Sequence, residues 1–321
     1  MITVHPISNM GELVRVMVLG AEGRNLTQPT NVGDHTVTYG YGYTFIQRRT
    51  NGTWFITTTL AADLAAIGIT LTDDPNNSND EMDQLNSIVN ALNQNNTALA
   101  DQRITQFIQN WRYTDLTDPK AQTLYNQVIG RKDDEIETQF RNILGTTNGN
   151  YLFQALQNTQ EMAVLLDMAY NGGAGLIGSK LVNAMWNGNR AEAWFEIRYN
   201  ANKENQRLDI LQGLAKRRYL ESEIFGLYND PEGNGVDVAE AKQIYQMFQK
   251  NRKAIYDYEN KYGERFDGTN GTRNMISEGN NDANYKQVMN LSGLTNMNTI
   301  TEALDTAKLV LLADLRNRYT E

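Results

Sequence analysis

Three residues near the N-terminus carry the chemistry to weigh first: Glu22, Asp34 and Thr38. Glu22 stands directly before Gly23 at the end of a predicted helix. Asp34 and Thr38 follow on a turn-rich approach to the first predicted strand. Two carboxyl groups and a hydroxyl around one small hairpin suit glycoside hydrolysis. One carboxyl stays protonated to give its proton to the leaving oxygen, and the other stays ionised to activate water or to stabilise positive charge on the sugar. The same residue types also occur as solvated loop carboxylates, so the elements that carry them matter.

Residues 11–21 form a predicted helix, with Leu13, Val16, Met17 and Gly20 at helical spacing. The segment EGRNLTQPTNVGDH is turn-rich, its Gly, Pro and Asn residues interrupting any period. TVTYGYGYTFIQRR and WFITTTL then flank Asn51-Gly52, the favoured dipeptide of a two-residue type I′ hairpin turn. Beyond Ala61 the apolar spacing is helical almost throughout, apart from a loop at DDPNNSND. Asp118 is a predicted N-cap with Pro119 at the first helical position. TQEMAVLLDMAYNGG reads as a buried helix closed by Gly172 and Gly173. After a break at NDPEGNG comes a long amphipathic helix with Ile244, Phe248, Ile255, Tyr258 and Tyr262 on one side. TITEALDTAKLVLLADLRNRY closes the chain as another helix. The fold class is α+β, mostly helical, with one small β-hairpin lobe. Residues 1–228 form the main domain, with a helical insertion around 61–155, and residues 229–321 form a helical C-terminal extension.

Composition removes several function classes. The chain has 321 residues, no cysteine, two histidines (His5 and His35) and a formal net charge of -9. Disulfide and thiolate chemistry are excluded, and neither histidine sits in a recognisable zinc or Ser-His-Asp motif. The negative charge argues against binding nucleic acid or an anionic membrane, and no apolar run approaches spanning length. The N-terminal segment lacks a basic region and has Glu12 and Arg15 inside its apolar part, so it is not a standard signal peptide. DPEGNGVDVAE, residues 230–240, mimics a calcium loop through Asp230, Glu232, Asn234 and Gly235, but Ala241 stands where the EF-hand wants Glu. The competing reading is a turn capping the next helix, with Asp237 near its N-terminus.

Three segments, in order, resemble one family. Glu22-Gly23 followed by Thr38, Gly40, Tyr41, Gly42 and Thr44 is similar to the signature of phage-type lysozymes, the muramidases of glycoside hydrolase family 24. Tyr39 replaces the usual aliphatic residue and Tyr43 the usual histidine, and the gap from Glu22 to Thr38 is slightly longer than the family's. Tyr170, Asn171, Gly173 and Gly175, with Ser179 and Leu181 after them, resemble the family's helix-turn region. Gly213, Leu214, Arg217, Arg218, Glu221 and Phe225 resemble its closing run. The resemblance covers residues 11–228.

It implies a lysozyme-like fold and cleavage of the β-1,4 bond between N-acetylmuramic acid and N-acetylglucosamine, with inversion and without a cofactor. Glu22 would be the acid, Asp34 would activate water and Thr38 would hold it. Asn31 lies nearest the family's spacing for the second position but cannot ionise, so Asp34, the sole carboxylate of the loop, takes the role as the alternative to Asn31. The backbone around Tyr41, with Gly42 and Asn171, would line the sugar site, against simple sheet packing for Tyr41. Arg217 or Arg218 would orient Glu22, unless both pair with Glu221 or with solvent. The implied partner is peptidoglycan. The expected context is an antibacterial effector of a type VI secretion machine, made in the cytoplasm and acting in a target cell's periplasm or wall, with an immunity protein as a further partner. A phage endolysin or tail lysozyme, and a non-catalytic wall-binding protein on the same scaffold, are the alternatives.

Overall fold

The computed structural model describes residues 1–22, 25–31, 33–49, 51–72, 80–114, 116–201, 208–231 and 233–319. The expected loop at DDPNNSND therefore lies, but for Asp80, outside the described residues. The chain forms two compact units, one of Glu22–Arg131 and one of Met1–Ala21 with Lys132–Glu321. The fold is α+β, mostly helical with small antiparallel sheets.

The chain opens with α1 (Met10–Glu22) and continues through β1 (Asn25–Thr30), β2 (Thr38–Gly40), β3 (Tyr43–Thr44), β4 (Ile46–Arg48) and β5 (Trp54–Ile56). Short helices α2 (Leu60–Ala65), α3 (Glu81–Asn93) and α4 (Thr97–Asn110) follow, and α5 runs over Asp118–Leu144. In the 22–131 unit the strands make two sheets, β1-β2-β3 and β4-β5, both antiparallel. This corrects the expectation of one hairpin. TYGYGYT is a hairpin in itself: Thr38 pairs with Thr44 and Tyr39 with Tyr43. Its reversal is possible because Gly40 and Gly42 take φ of 63° and 88°, values that side chains with a Cβ adopt at a cost.

The Asn51-Gly52 hairpin also differs from the expected two-residue turn. Gly52 N donates to the Arg49 carbonyl at 2.9 Å, Arg49 N to the Thr53 carbonyl at 2.8 Å, and Gly52 has φ of 88°. The connection is one residue longer, with the glycine in the left-handed position. Its Asn51 side chain accepts from Thr53 N and Oγ1.

The rings of this unit pack edge to face. Tyr39 meets Trp111 at 5.3 Å and Phe45 at 6.1 Å, and Phe107 joins them. Asp118 is not the cap of α5. The first helical bond reaches back to the Thr117 carbonyl, and the Asp118 carboxylate instead accepts from Tyr41 Oη at 2.7 Å.

The other unit holds α6 (Thr146–Leu156), α7 (Gln160–Gly172), α8 (Ser179–Trp186), α9 (Arg190–Phe195) and a π-helical turn at Glu196–Asn200. Then come α10 (Leu208–Phe225), α11 (Val238–Tyr262), α12 (Met275–Asn281), α13 (Ala283–Leu291) and α14 (Ile300–Tyr319). As expected, α7 is buried, from Glu161 to Ala169 without interruption. Thr159 caps it through Met162 N, and Gly173, at φ of 83°, ends it.

Residues 229–321 are not a separate body but part of this unit. The reason is a set of buried polar contacts. Arg198 donates to Glu223 and to the Asn298 carbonyl, and Glu259 of α11 accepts from Tyr199 and Tyr219. A boundary here would leave those groups unsatisfied in the interior. The expected 61–155 insertion is likewise divided between the units.

Gly149 of α6 lies against α5: a Cβ there would stand 2.5 Å from Arg141 N and 2.6 Å from its Cα. Both are backbone atoms, so the helices would have to part. Gly149→Ala is expected to destabilise this unit by about 1–3 kcal/mol, read as a lower urea midpoint.

Candidate functional site

The sequence-derived candidates fall into two groups, one in each unit. Around β1 and β2 sit Asp34, Thr38, Tyr41 and Gly42. Glu22 closes α1, and β1 begins at Asn25. Its side chain, and Gly23 after it, lie outside the described residues.

The β1–β2 pairing runs from Asn25 opposite Gly40 to Thr30 opposite Thr38, so Asp34 sits in the connection between the two strands. Asp34 is exposed, and its Oδ1 accepts from Thr36 N at 3.1 Å and Thr36 Oγ1 at 2.6 Å. This turn holds the carboxylate in place while Oδ2 takes no hydrogen bond from a described residue. Thr38, at the start of β2, is 8% exposed, and its hydroxyl makes no hydrogen bond to a described residue.

Tyr41 answers differently: its ring is 3% exposed, packed on Tyr125 and hydrogen-bonded to Asp118. The ring serves the packing of this unit. What faces outward at this turn is Gly42, which is half-buried.

Tyr43, where the family's signature has histidine, is also buried. Its Oη donates to Asp63 Oδ2 at 2.7 Å, and Asp63 receives Arg131 in a two-pronged pair at 3.0 and 2.8 Å. Burial first, and then the Asp63 carboxylate, push the phenol far above its ordinary value. The ring is a structural donor that does not titrate near neutral pH. Tyr43→Phe removes one donor from an Asp63 that keeps Arg131 and Thr59. The expected cost is about 1 kcal/mol in thermal or urea unfolding.

In the other unit, Asn171, Arg217 and Arg218 converge with Asp167 and Glu221. Arg217 pairs with Asp167 through two bonds of 2.7 and 2.8 Å and lies 3.7 Å from Glu221. Arg218 grips both oxygens of Glu221 and donates to Asn171 Oδ1 at 3.1 Å. All four charged side chains are buried. The cluster fixes the end of α7 to α10, and it fixes the amide of Asn171 with its oxygen toward Arg218. Burial pushes the Glu221 carboxyl up to about 8, with Arg218 and Arg217 pulling the other way and Asp167 adding to the rise.

Sequence reasoning missed Asp101. It projects from α4, and its Oδ1 lies 2.7 Å from His35 Nδ1 and 3.3 Å from Asn31 Nδ2. It holds the same connection that carries Asp34, where His35 takes φ of 65°. No local signal marks it, because the contact spans 66 positions. Asn31 is thereby occupied: besides Asp101, its side chain accepts from Gly33 N at 2.8 Å.

His5 is a structural group. Its ring lies 3.0 Å from the Asn229 carbonyl and 3.3 Å from Glu161, which Arg190 also engages. Burial, then Arg190, lower its proton affinity.

Among the described residues no group of His, Cys, Asp and Glu could hold a metal ion. In the calcium-like loop Asp230 Oδ2 accepts from Gly235 N at 3.1 Å, and Asp237 caps α11 through Glu240 N at 2.8 Å. The capping turn is therefore what these two residues form, while Glu232 lies outside the described residues. No protein-family model matches the chain, and no curated protein or solved structure is significantly similar to it.

Proposed function

We propose that the chain is a muramidase that hydrolyses the β-1,4 bond of peptidoglycan glycan strands. The observation that carries this reading is the order of parts around β1 and β2. Glu22 closes a helix, β1 is the next element, Asp34 sits in the connection after it, and Thr38 opens the strand that returns. That is the order of the three-residue signature in the phage-type lysozymes. Glu22 gives its proton to the glycosidic oxygen as the C–O bond breaks. Water attacks the anomeric carbon from the opposite face, and Oδ2 of Asp34 takes its proton. The hydroxyl of Thr38 holds that water. The product has the inverted configuration, and no cofactor takes part.

The acidic charge and the helices after residue 228 support a delivered antibacterial toxin as the setting, with peptidoglycan as substrate and an immunity protein as partner. Purified protein is expected to release dye from labelled sacculi and to leave reducing-end muramic acid whose first-formed anomer, followed by proton NMR, is inverted. Retention of the anomer would overturn the mechanism. Binding to sacculi without release would overturn the enzyme reading in favour of a wall-binding protein.

A further inference from the structure

Helices α8, α9 and α11 and the π-helical turn after α9 line a cavity of about 410 Å³. None of the residues assigned to the muramidase site belongs to it. Glu196, on its wall, is 9% exposed. Asn200 Nδ2 donates to Glu196 Oε2 at 3.0 Å, while the buried Oε1 takes no hydrogen bond from a described residue. A buried carboxylate oxygen without a donor is costly, and folded chains leave few of them. Glu196 and Asn200 are the two ends of the π-helical turn, and both line the cavity. Such turns are rare and are frequently found at functional sites.

The amides of this wall share one polarity. Asn183 Nδ2 donates to the Ser179 carbonyl at 2.8 Å, and Asn251 Nδ2 to the Met247 carbonyl at 3.1 Å. Each spends its donor on its own helix, as Asn200 spends its own on Glu196. Their carbonyl oxygens accept nothing from a described residue, and Asn183 and Asn251 line the cavity with Glu196. Several acceptors around one carboxylate suit a primary ammonium, which brings three donors and a positive charge. A hydroxyl brings one donor, and its lone pairs would face the remaining oxygens.

The same cavity also offers donors. Lys180 lines it and pairs with no described carboxylate. Asn189 has its oxygen taken by Glu192 N at 3.1 Å, which leaves its NH₂ group to give. The other two charges of the wall, Glu192 and Lys250, pair with each other at 2.5 Å. One carboxylate and one ammonium therefore remain to be matched, and a ligand that matches both carries one charge of each sign. The volume lies near the lower end of the roughly 300–1,000 Å³ of small-molecule pockets, the scale of an amino acid.

We infer that this cavity is a binding site for a small zwitterion of amino-acid size. Its primary ammonium sits on Glu196, Asn183 and Asn251, and its carboxylate on Lys180 and Asn189. The inference does not depend on the muramidase reading.

Isothermal titration calorimetry on the full chain tests it, with glycine, γ-aminobutyrate and ε-aminocaproate as probes that set the two charges progressively further apart. Wild type is expected to bind at least one of them saturably. The N-acetyl form of that probe, which has lost the ammonium, and glucose, which has neither charge, should not bind. Glu196→Gln should weaken the probe about tenfold or more, because an amide that keeps its oxygen on Asn200 puts a donor where the ammonium needs an acceptor. Lys180→Glu and Asn183→Ala change exposed side chains, so both should keep the circular dichroism and Tm of wild type while weakening the same probe. They decide the matter if Glu196→Gln does not fold. A wild type that binds none of the three probes overturns the proposal. So does an N-acetyl form or glucose that binds as well as the free amino compound, or a folded set of variants that all bind like wild type.

Discussion

Glu22→Gln is expected to lower dye release from labelled sacculi by about 10²–10⁴-fold, with the unfolding midpoint unchanged. Gln keeps the shape and the hydrogen-bonding capacity of the carboxyl but has no proton to give to a departing sugar oxygen. The leaving group would then depart as an alkoxide, the step that general acid catalysis avoids. Glu22 is the last residue of α1, and β1 is the next element of the chain. Three further substitutions separate the roles nearby. Asp34→Asn should cost about as much as Glu22→Gln, because Oδ2 is the oxygen left to take a proton from water. Asn31→Ala and Asp101→Asn should cost far less, since both act on the connection that carries Asp34 and not on water. Activity in Glu22→Gln equal to wild type would sink the assignment of the acid. Loss in Asp101→Asn with none in Asp34→Asn would move the second carboxylate to α4.

The parts of this fold that were legible in the sequence are those fixed by local chemistry. The burial of α7, its closing glycine, the Asp237 cap and the strands on either side of Asn51-Gly52 follow from composition and spacing over a dozen residues or fewer. The β1 strand was not legible. It carries Pro29, which cannot donate to a ladder, it lies at the sheet edge, and its pairing with β2 is irregular between Asn25 and Thr30. Nor does TYGYGYT announce that its glycines turn the chain instead of twisting a continuous strand, since alternation of Tyr and Gly fits both. For the candidate site, the resemblance located Asp34 and Thr38 in the arm where the hydrolytic chemistry is proposed. It placed the backbone around Tyr41 at the sugar site, while the ring of Tyr41 is buried against Tyr125. Asp101, Asp167 and Glu259 were illegible for one reason. Each contacts groups tens of positions away, and such contacts are products of the assembled interior, not of any window of sequence.

Glu221 gives the second large effect, and its direction is opposite to that of a surface carboxylate. Its ordinary value of 4.5 is pushed up to about 8 by burial in the α7–α10 cluster. Below 4.5 the folded and unfolded chains hold the same proton, and the group adds no pH dependence. Between 4.5 and 8 the folded chain keeps a proton that the unfolded chain has released. The unfolding free energy should therefore fall by about 1.4 kcal/mol for each pH unit crossed, and level off above 8. Urea midpoints of wild type at pH 5, 6.5 and 8 should descend. Glu221→Gln, neutral throughout, should match wild type near pH 5 and lose this component of the slope. Arg218→Met is a different perturbation, because it strips the carboxyl of its closest cation and Asn171 of its donor. Without that cation the carboxyl keeps its proton to a still higher pH, so the destabilisation relative to wild type should be least at pH 5 and should grow by about 1.4 kcal/mol for each pH unit above 8. A wild-type midpoint that rises from pH 5 to 8, with Glu221→Gln running parallel to it, would show that the arginines and not burial govern this carboxyl. In that case the cluster would be a fully ionised four-charge network stabilised most strongly near neutral pH.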